Sequence, residues 1–170
     1  MRIEIDNQPT KENEDIFYIK MAQRVSSKSS CFRSKCGAVI VHLNKVLVSD
    51  YNHPPINQPD CGKIGSCYRD VNNIKSGTEP DKCRSFGCHA ESNAVSTAAR
   101  EGIATKNSTI YIFGNTEICP ACKGSITNAG IVMVVYQTKH GVIAKINVGY
   151  DWSIHPLDQK RKFEEWKSNV

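Results

Sequence analysis

Two short motifs in this sequence carry residue types that bind metal ions and move protons. They are H-A-E at residues 89–91 and C-P-A-C at residues 119–122. One imidazole and two thiolates suit a tetrahedral Zn²⁺, and three protein ligands leave the fourth position open, as in catalytic zinc sites. A helix start at the second motif would also favour the thiolate form. The sequence therefore predicts a zinc site of His89, Cys119 and Cys122, with Glu91 beside it as a general acid and base rather than a ligand.

Each motif has a more ordinary interpretation when it is taken alone. H-A-E could be a solvated cap at the start of a helix, and a lone C-x-x-C pair could be a redox site. Here the two motifs occur together, each at the start of a predicted helix, with a predicted strand between them. That combination favours the metal site.

The motifs are set in a pattern of helices and strands. A helical stripe of apolar residues runs through residues 13–30, at Ile16, Ile19, Ala22 and Val25. A turn-like pair at residues 43–44 joins two short apolar runs into a hairpin. The predicted order is helix 13–30, strands 37–40 and 46–49, helix 89–101, strand 109–113, helix 119–129, strands 131–136 and 142–148, and helix 156–168. This order indicates a sheet covered by helices.

Cysteine is unusually frequent in the chain. The 170 residues include eight cysteines, and the N-terminus has no secretory signal, which argues for metal binding or catalysis over disulfides. Cys61, Cys67 and Cys83 lie in the stretch 51–87, which is rich in turn-forming residues and has little periodicity. A loop of this length in a compact domain is expected to be functional or to be tied down.

Composition predicts one domain over residues 1–170 and a cytoplasmic protein. No apolar run approaches the roughly 20 residues that span a bilayer, so no membrane partner is expected. The net charge of +5 comes from 22 basic and 17 acidic residues that are scattered along the chain. Such a distribution fits an anionic small molecule and argues against a nucleic-acid partner.

From about Ile16 to Tyr136 the sequence resembles the deoxycytidylate (dCMP) deaminases of the cytidine deaminase-like superfamily. The residues that carry the resemblance are S-S-C at 29–31, G-A-V-I-V at 37–41, Y-N at 51–52, Cys61, G-S-C at 65–67, Cys83, HAESNAVSTAAREG at 89–102 and the C-P-A-C pair. An H-x-E motif followed by P-C-x-x-C is typical of zinc nucleobase deaminases, and here Ile118 stands in place of the proline before Cys119. The resemblance implies an α/β fold with a mixed five-stranded sheet between helix layers. It also implies a zinc-dependent enzyme that hydrolyses dCMP to dUMP and ammonia, with Glu91 carrying protons.

The resemblance further implies a second metal site. Some relatives hold a structural metal with cysteines that match Cys31, Cys61, Cys67 and Cys83. Four thiolates would form a closed zinc site, and the free energy of binding would help to order the long loop. Reduced thiols without a metal, or Cys36 or Cys88 in place of one ligand, are the alternatives.

Substrate contacts and assembly are implied by the same resemblance. Asn52 matches an asparagine that contacts the nucleotide, and Arg33, Lys35 and Arg69 are candidates for a phosphate contact. A homo-oligomer such as a hexamer is implied, and relatives are regulated by dCTP and dTTP. The family's G-Y-N-G reads D-Y-N-H at residues 50–53, however, and the loss of both glycines changes the backbone freedom there. A tRNA adenosine, a free cytidine or nucleobase, and a catalytically silent zinc-binding protein are the alternatives.

Overall fold

A computed structural model describes residues 11–76, 78–79, 82–83, 88–114, 117–138 and 140–152 of this chain. The helices and strands in these residues are α1 Lys11–Ser26, β1 Gly37–His42, β2 Lys45–Tyr51, α2 Cys61–Ile64, α3 Tyr68–Val71, α4 Ala90–Arg100, β3 Thr109–Phe113, α5 Pro120–Asn128, β4 Met133–Gln137, β5 Ile143–Asn147 and α6 Val148–Asp151. The helix predicted over 156–168 lies outside the described residues. Among the described helices, none has the length and apolar character that crossing a membrane requires.

The five strands form one mixed sheet in the order β2-β1-β3-β4-β5. Strand β1 pairs antiparallel with β2 and β3, and β4 pairs antiparallel with β5. Strands β3 and β4 are parallel, and α5 provides the crossover that a parallel pair requires. The mixed five-stranded sheet implied by the resemblance is therefore confirmed.

Both faces of the sheet are buried by helices. On β1, Ala38 and Ile40 pack with α4 and α5, whereas Val39 and Val41 pack with α1. Successive side chains of a strand point to opposite faces, so a central strand that is covered on both sides is apolar without alternation. The two core clusters therefore give three layers, with helices on either side of the sheet.

Helix α1 buries a face that differs in part from the predicted stripe. Ile19 is buried as expected, but Ile16 is 36% exposed and Asp15 is only 4% exposed. The Asp15 carboxylate accepts a hydrogen bond from the Tyr111 hydroxyl at 3.1 Å and pairs with the Lys145 ammonium group. The buried face of α1 can include a charged residue because the sheet supplies its partners.

The stretch 51–87, which was expected to lack regular structure, contains two short helices. The Asp60 side chain caps α2 by accepting a hydrogen bond from the backbone N–H of Lys63 at 2.8 Å, and Gly65 ends that helix with a φ of 76°. Helix α3 follows directly, with Cys67 as its N-cap residue. These helices hold Cys61 and Cys67 in buried positions.

One edge of the sheet gathers several chain segments that come from distant parts of the sequence. The start of β1 lies opposite the ends of β2 and β3, through the pairs Gly37↔Tyr51 and Gly37↔Phe113. A Cβ atom on Gly114, which has a φ of 89°, would lie 2.2 Å from the Lys35 carbonyl oxygen. Glycine after β3 therefore allows the segment before β1 to approach closely, and α4 and α5 begin near this edge.

Candidate active site

Helices α4 and α5 each begin at a predicted metal ligand. His89 is the N-cap residue of α4, with an extended backbone (φ −75°, ψ 159°), and its side chain makes no capping hydrogen bond. Cys119 is the N-cap residue of α5, and Pro120 follows it at the helix start, where the missing N–H of proline costs nothing. The imidazole is thus left for another partner, and the dipole of α5 favours a thiolate.

The donor atoms of these residues lie at the separation that a tetrahedral metal ion requires. The His89 Nδ1 atom is 3.4 Å from Cys119 Sγ and 3.5 Å from Cys122 Sγ. The three donor atoms all lie within 4.8 Å of one another. Zinc bonds of about 2.0 Å to nitrogen and about 2.3 Å to sulfur would separate tetrahedral ligands by about 3.5 Å. The group therefore fits a zinc ion with one coordination position left open.

Glu91 lies in the first turn of α4, two residues after His89, and its side chain is almost completely buried. Its exposed fraction is 1%, and neither carboxylate oxygen has a hydrogen-bond partner among the described residues. A buried carboxylate without a partner is costly, so its retention indicates a partner that binds in the site. Glu91 does not belong to the group of three clustered donors, which agrees with its predicted role in proton transfer.

Burial also affects the thiols of this region. It raises the pKa of Cys122, and the nearby Glu91 carboxylate and Cys119 raise that pKa further. Burial likewise raises the pKa of Cys36. A cation bound between the thiols would oppose these effects, because it favours the thiolate form.

A cavity of about 340 Å³ opens beside Glu91 and His89. Its volume lies within the range of small-molecule sites, which is about 300–1,000 Å³. The rest of its lining comes from the segment before β1, from Asn52 and from residues of the stretch 61–83. The cavity is therefore built at the sheet edge where these segments meet.

Asn52, the predicted nucleotide contact, lines the cavity but already uses much of its amide group. Its Oδ1 atom accepts a hydrogen bond from Cys36 N at 2.8 Å, and its Nδ2 atom donates to Ser34 O at 2.9 Å. One proton on Nδ2 and one lone pair on Oδ1 are not used by these two hydrogen bonds. Its contact with a nucleotide stays a prediction.

The four cysteines predicted to hold a second metal all line this same cavity; they are Cys31, Cys61, Cys67 and Cys83. All four lie in the described part of the chain, yet no three of their sulfur atoms are within 4.8 Å of one another. The structure thus brings these cysteines to one cavity without gathering them as tightly as the ligands at the starts of α4 and α5. Cys88, the alternative ligand, is half-buried and also lines the cavity.

The two arginines predicted as candidates for a phosphate contact also line the cavity. Both donate hydrogen bonds to residues of the loop that forms part of its lining. Arg33 donates from Nε to the Asp70 carboxylate at 2.6 Å and from Nη2 to the Ile74 carbonyl at 2.6 Å. Arg69 donates to the carbonyl oxygens of residues 75, 78 and 79. Lys35 is exposed and does not line the cavity.

Two residues close to Asn52 in the sequence, Asp50 and His53, were not assigned a role from the sequence. The Asp50 carboxylate is buried, and one of its oxygens lies 3.2 Å from His53 Nε2. The only signal in the sequence was that these residues replace the two glycines of G-Y-N-G. Because glycine has no side chain, the family pattern could not indicate a contact between them.

Comparison with known protein families gives a match over most of the chain. Residues 12–138 match the family described as "Cytidine and deoxycytidylate deaminase zinc-binding region". The deoxycytidylate deaminase of Schizosaccharomyces pombe is 33% identical over 128 residues, which cover 75% of this chain and 38% of the yeast protein. The deoxycytidylate deaminase of Mycobacterium phage D29 is 31% identical over 126 residues, which cover 72% of this chain and 92% of the phage protein. The chain thus spans well under half of the yeast relative and most of the phage relative.

Solved structures show the same fold. The dCMP deaminase of cyanophage S-TIM5, in complex with dCMP and dUMP, has a TM-score of 0.59 and 25% identity, covering 76% of this chain and 84% of that one. The cytidine deaminase of Burkholderia pseudomallei has a TM-score of 0.54 and 18% identity, covering 79% and 92% of the two chains. These likenesses confirm the fold that the sheet order and the helix layers indicate.

Proposed function

Because this chain belongs to the cytidine and deoxycytidylate deaminase zinc-binding family, we propose that it hydrolyses dCMP to dUMP and releases ammonia. The observation that carries the proposal is the unpartnered, buried carboxylate of Glu91 beside the His89, Cys119 and Cys122 donors, in a cavity of nucleotide size. The names of the yeast and phage relatives support dCMP as the substrate. So does the dCMP and dUMP complex of the cyanophage protein.

The residues His89, Cys119 and Cys122 would hold the catalytic zinc ion. When bound, zinc supplies Lewis acidity, which makes water acidic enough to lose a proton near neutral pH. The burial of this region keeps bulk water from competing for the reacting groups.

Glu91 would carry the protons of the reaction. Its carboxylate takes a proton from the attacking water as the C4–O bond forms at the cytosine ring. It delivers that proton to N3 of the ring. It then takes the remaining proton from the new hydroxyl group on C4 and passes it to the amino group at C4. The C4–N bond breaks, ammonia leaves and uracil remains, so a single buried carboxylate handles each transfer in turn.

Two features of the cavity support a nucleotide over a nucleoside. Asn52 could reach the nucleotide with the part of its amide that the cavity wall does not use. Arg33 and Arg69 both line the cavity; Arg33 pairs with the Asp70 carboxylate, and Arg69 donates to backbone carbonyl oxygens. An anionic phosphate would be attracted to these two guanidinium groups.

The proposal predicts a preference that a substrate panel can measure. Purified protein is assayed for ammonia release from dCMP, CMP, dCTP, deoxycytidine and tRNA. We expect dCMP to exceed deoxycytidine in kcat/KM by at least about tenfold, because the phosphate contributes about 1.4 kcal/mol to transition-state binding. Equal values for the two would indicate a nucleoside deaminase, and activity on tRNA alone would indicate an adenosine deaminase. No turnover of any of these by the zinc-loaded protein would indicate a silent member of the fold.

We also propose a second, structural zinc held by Cys31, Cys61, Cys67 and Cys83. All four line one cavity, and Cys61 and Cys67 are buried at the starts of α2 and α3. An ion bound there would draw the sulfur atoms together and stabilise the loop, since the free energy of metal binding adds to that of folding.

Metal analysis tests this second site. After loosely bound ions are removed gently, we expect two zinc ions per chain in the wild type and one in Cys83→Ser. Cys36→Ser is the matched control, since Cys36 lines the same cavity without belonging to the proposed set, and it should retain both ions. A value of one in the wild type would contradict the second site.

The proposal also covers the domain organisation, the location and the assembly of the protein. Residues 1–170 form one deaminase domain, the protein acts in the cytoplasm on a free nucleotide without a nucleic-acid partner, and the chains assemble as a homo-oligomer such as a hexamer. The family match over residues 12–138 supports the first, and the family resemblance supports the others. Light scattering on the purified protein measures the number of chains.

A further inference from the structure

The turn after β2 is held by a buried carboxylate that makes three polar contacts. Asp50 is 8% exposed. Its Oδ2 atom accepts a hydrogen bond from Thr97 Oγ1 at 2.7 Å. Its Oδ1 atom accepts one from Tyr51 N at 2.8 Å and lies 3.2 Å from His53 Nε2. One side chain therefore connects the turn to itself and to helix α4.

A second side chain of α4, that of Asn93, also attaches the turn to this helix. The Asn93 side chain donates to the carbonyl oxygens of Tyr51 at 2.8 Å and of His53 at 3.4 Å. The His53 ring also meets the Pro54 carbonyl oxygen through Nδ1 at 2.6 Å and packs near the Tyr51 ring, with centroids 5.0 Å apart. The turn is therefore fixed to α4 on both sides of Asn52. This helix also carries Glu91.

Asn52, at the centre of this turn, holds the cavity wall. Its backbone N–H donates to Cys36 O at 3.1 Å, and its carboxamide bonds Cys36 N and Ser34 O. Its backbone oxygen accepts from Ser29 Oγ at 2.9 Å. The pairing of β1 with β2 ends at Gly37 and Tyr51. The strand pairing therefore does not reach the cavity wall at residues 34–36. The hydrogen bonds of Asn52 hold that segment instead.

We propose that Asp50 and His53 are positioning residues for the substrate. Together with Thr97 they form what we call the turn clamp, which fixes Asn52 and the wall at residues 34–36 relative to Glu91. The clamp acts on the nucleotide through the wall and touches none of the reacting atoms. The contacts of Asp50 and His53 bond the turn on both sides of Asn52. The inference rests on the proposed deamination of dCMP.

A clamp of this kind affects substrate binding more than it affects chemistry. In His53→Ala, Asp50 loses one of its three polar contacts and the turn loses the contact between the His53 ring and the Pro54 carbonyl oxygen, so Asn52 becomes less well positioned. We expect the KM for dCMP to rise about tenfold while kcat changes less than about threefold, since the interaction lost is one made by substrate and transition state alike. The zinc content should match that of the wild type, because the ligands lie on other residues.

The matched control is His42→Ala. His42 lies at the far end of β1, where its Nδ1 atom is 3.3 Å from the Asn107 carbonyl oxygen. Like His53→Ala, the variant His42→Ala removes an imidazole that contacts a carbonyl oxygen. Any general effect of losing a histidine therefore appears in both variants. We expect KM to be unchanged in His42→Ala.

A double variant tests whether Asp50 and His53 act as one unit. Asp50→Asn is nearly isosteric and weakens the contact with His53, and should also raise KM. Asp50→Asn combined with His53→Ala should raise KM less than the product of the two single effects, because both remove the same contact. Should His53→Ala fail to fold, Asp50→Asn takes its place with the same expected split between KM and kcat.

Hydrogen exchange provides a readout that does not depend on activity. The Cys36 amide, which donates to Asn52 Oδ1, should exchange faster in His53→Ala, while the amides of the hairpin over 38–48 keep their protection. If the wild type did not act on dCMP, the proposed function would fail but the exchange result would still test the clamp. Unchanged exchange at Cys36, or a loss of kcat with unchanged KM in a folded variant, would overturn the inference.

Discussion

Glu91 combines burial, a missing partner and a position beside three metal-binding donors. The proposed proton transfer is therefore assigned to its carboxylate. In Glu91→Gln the side chain keeps its size but can no longer accept and release a proton. We expect turnover of dCMP to fall by about 10²- to 10⁴-fold, the usual contribution of general acid–base catalysis, with zinc content unchanged. Turnover and metal content are measured on the same preparation.

The control for this variant is Glu101→Gln. Glu101 follows α4, is exposed, and pairs with Arg100 on the surface, where an ion pair contributes little. The same chemical change at that position should leave activity and metal content as they are. If Glu91→Gln lost its zinc, the carboxylate would have to be a ligand, contrary to the assignment.

The residues that sequence patterns could identify are those whose spacing is local. His89 and Glu91 are two residues apart, Cys119 and Cys122 are three apart, and both pairs open helices. Asn52 is different, because its carboxamide is bound to a segment 16 residues earlier in the chain. No local pattern reports such a bond, so its role in holding the wall could be found only from the structure.

At the scale of secondary-structure elements, the contact between α1 and β1 depends on glycine. A Cβ atom on Gly37 would lie 2.1 Å from the Ala22 carbonyl oxygen and 2.8 Å from Ser26 N, both backbone atoms of α1. Backbone atoms cannot rotate away, so Gly37→Ala must push the helix from the sheet. We expect a loss of about 1–3 kcal/mol in the free energy of unfolding, typical of overpacking, measured by urea denaturation.

Gly124→Ala is the matched control for this change. Gly124 lies inside α5, and a Cβ atom there would meet nothing within 4 Å. Alanine is favoured over glycine within helices by up to about 1 kcal/mol, so this variant should be neutral or more stable. Equal stability of Gly37→Ala and the wild type would contradict the close packing of α1 on β1.

Elements with strong local signals were predicted well. Strand β3 has the predicted bounds, and the hairpin turns at Leu43 and Asn44, both with positive φ (46° and 59°). The buried face of α1 was predicted less well, because the partners of Asp15 lie on strands 96 and 130 residues further along the chain. Helices α2 and α3 are too short for any periodicity to show. The Asp60 cap and Gly65 were the only local signals for α2.

At the scale of the whole molecule, one sheet edge brings the proposed catalytic and structural features together. The segment before β1, Asn52 after β2, the stretch 61–83 and the first turn of α4 line a single cavity. Cys119 and Cys122, at the start of α5, lie next to His89, which lines it. The loop cysteines line this cavity, and the proposed turn clamp bonds the turn that carries Asn52, which also lines it. The loop that carries the cysteines is thus coupled to the site, and its ordering should affect substrate binding.

The most direct test of the account is dCMP turnover by the wild-type protein before metal removal, after removal by a chelator, and after zinc is returned. Circular dichroism at each stage shows whether the chain remains folded. We predict that dUMP formation disappears with the metal and returns with zinc, because His89, Cys119 and Cys122 would hold the ion that activates water for Glu91. A folded, metal-free protein that converts dCMP at the original rate would contradict the account.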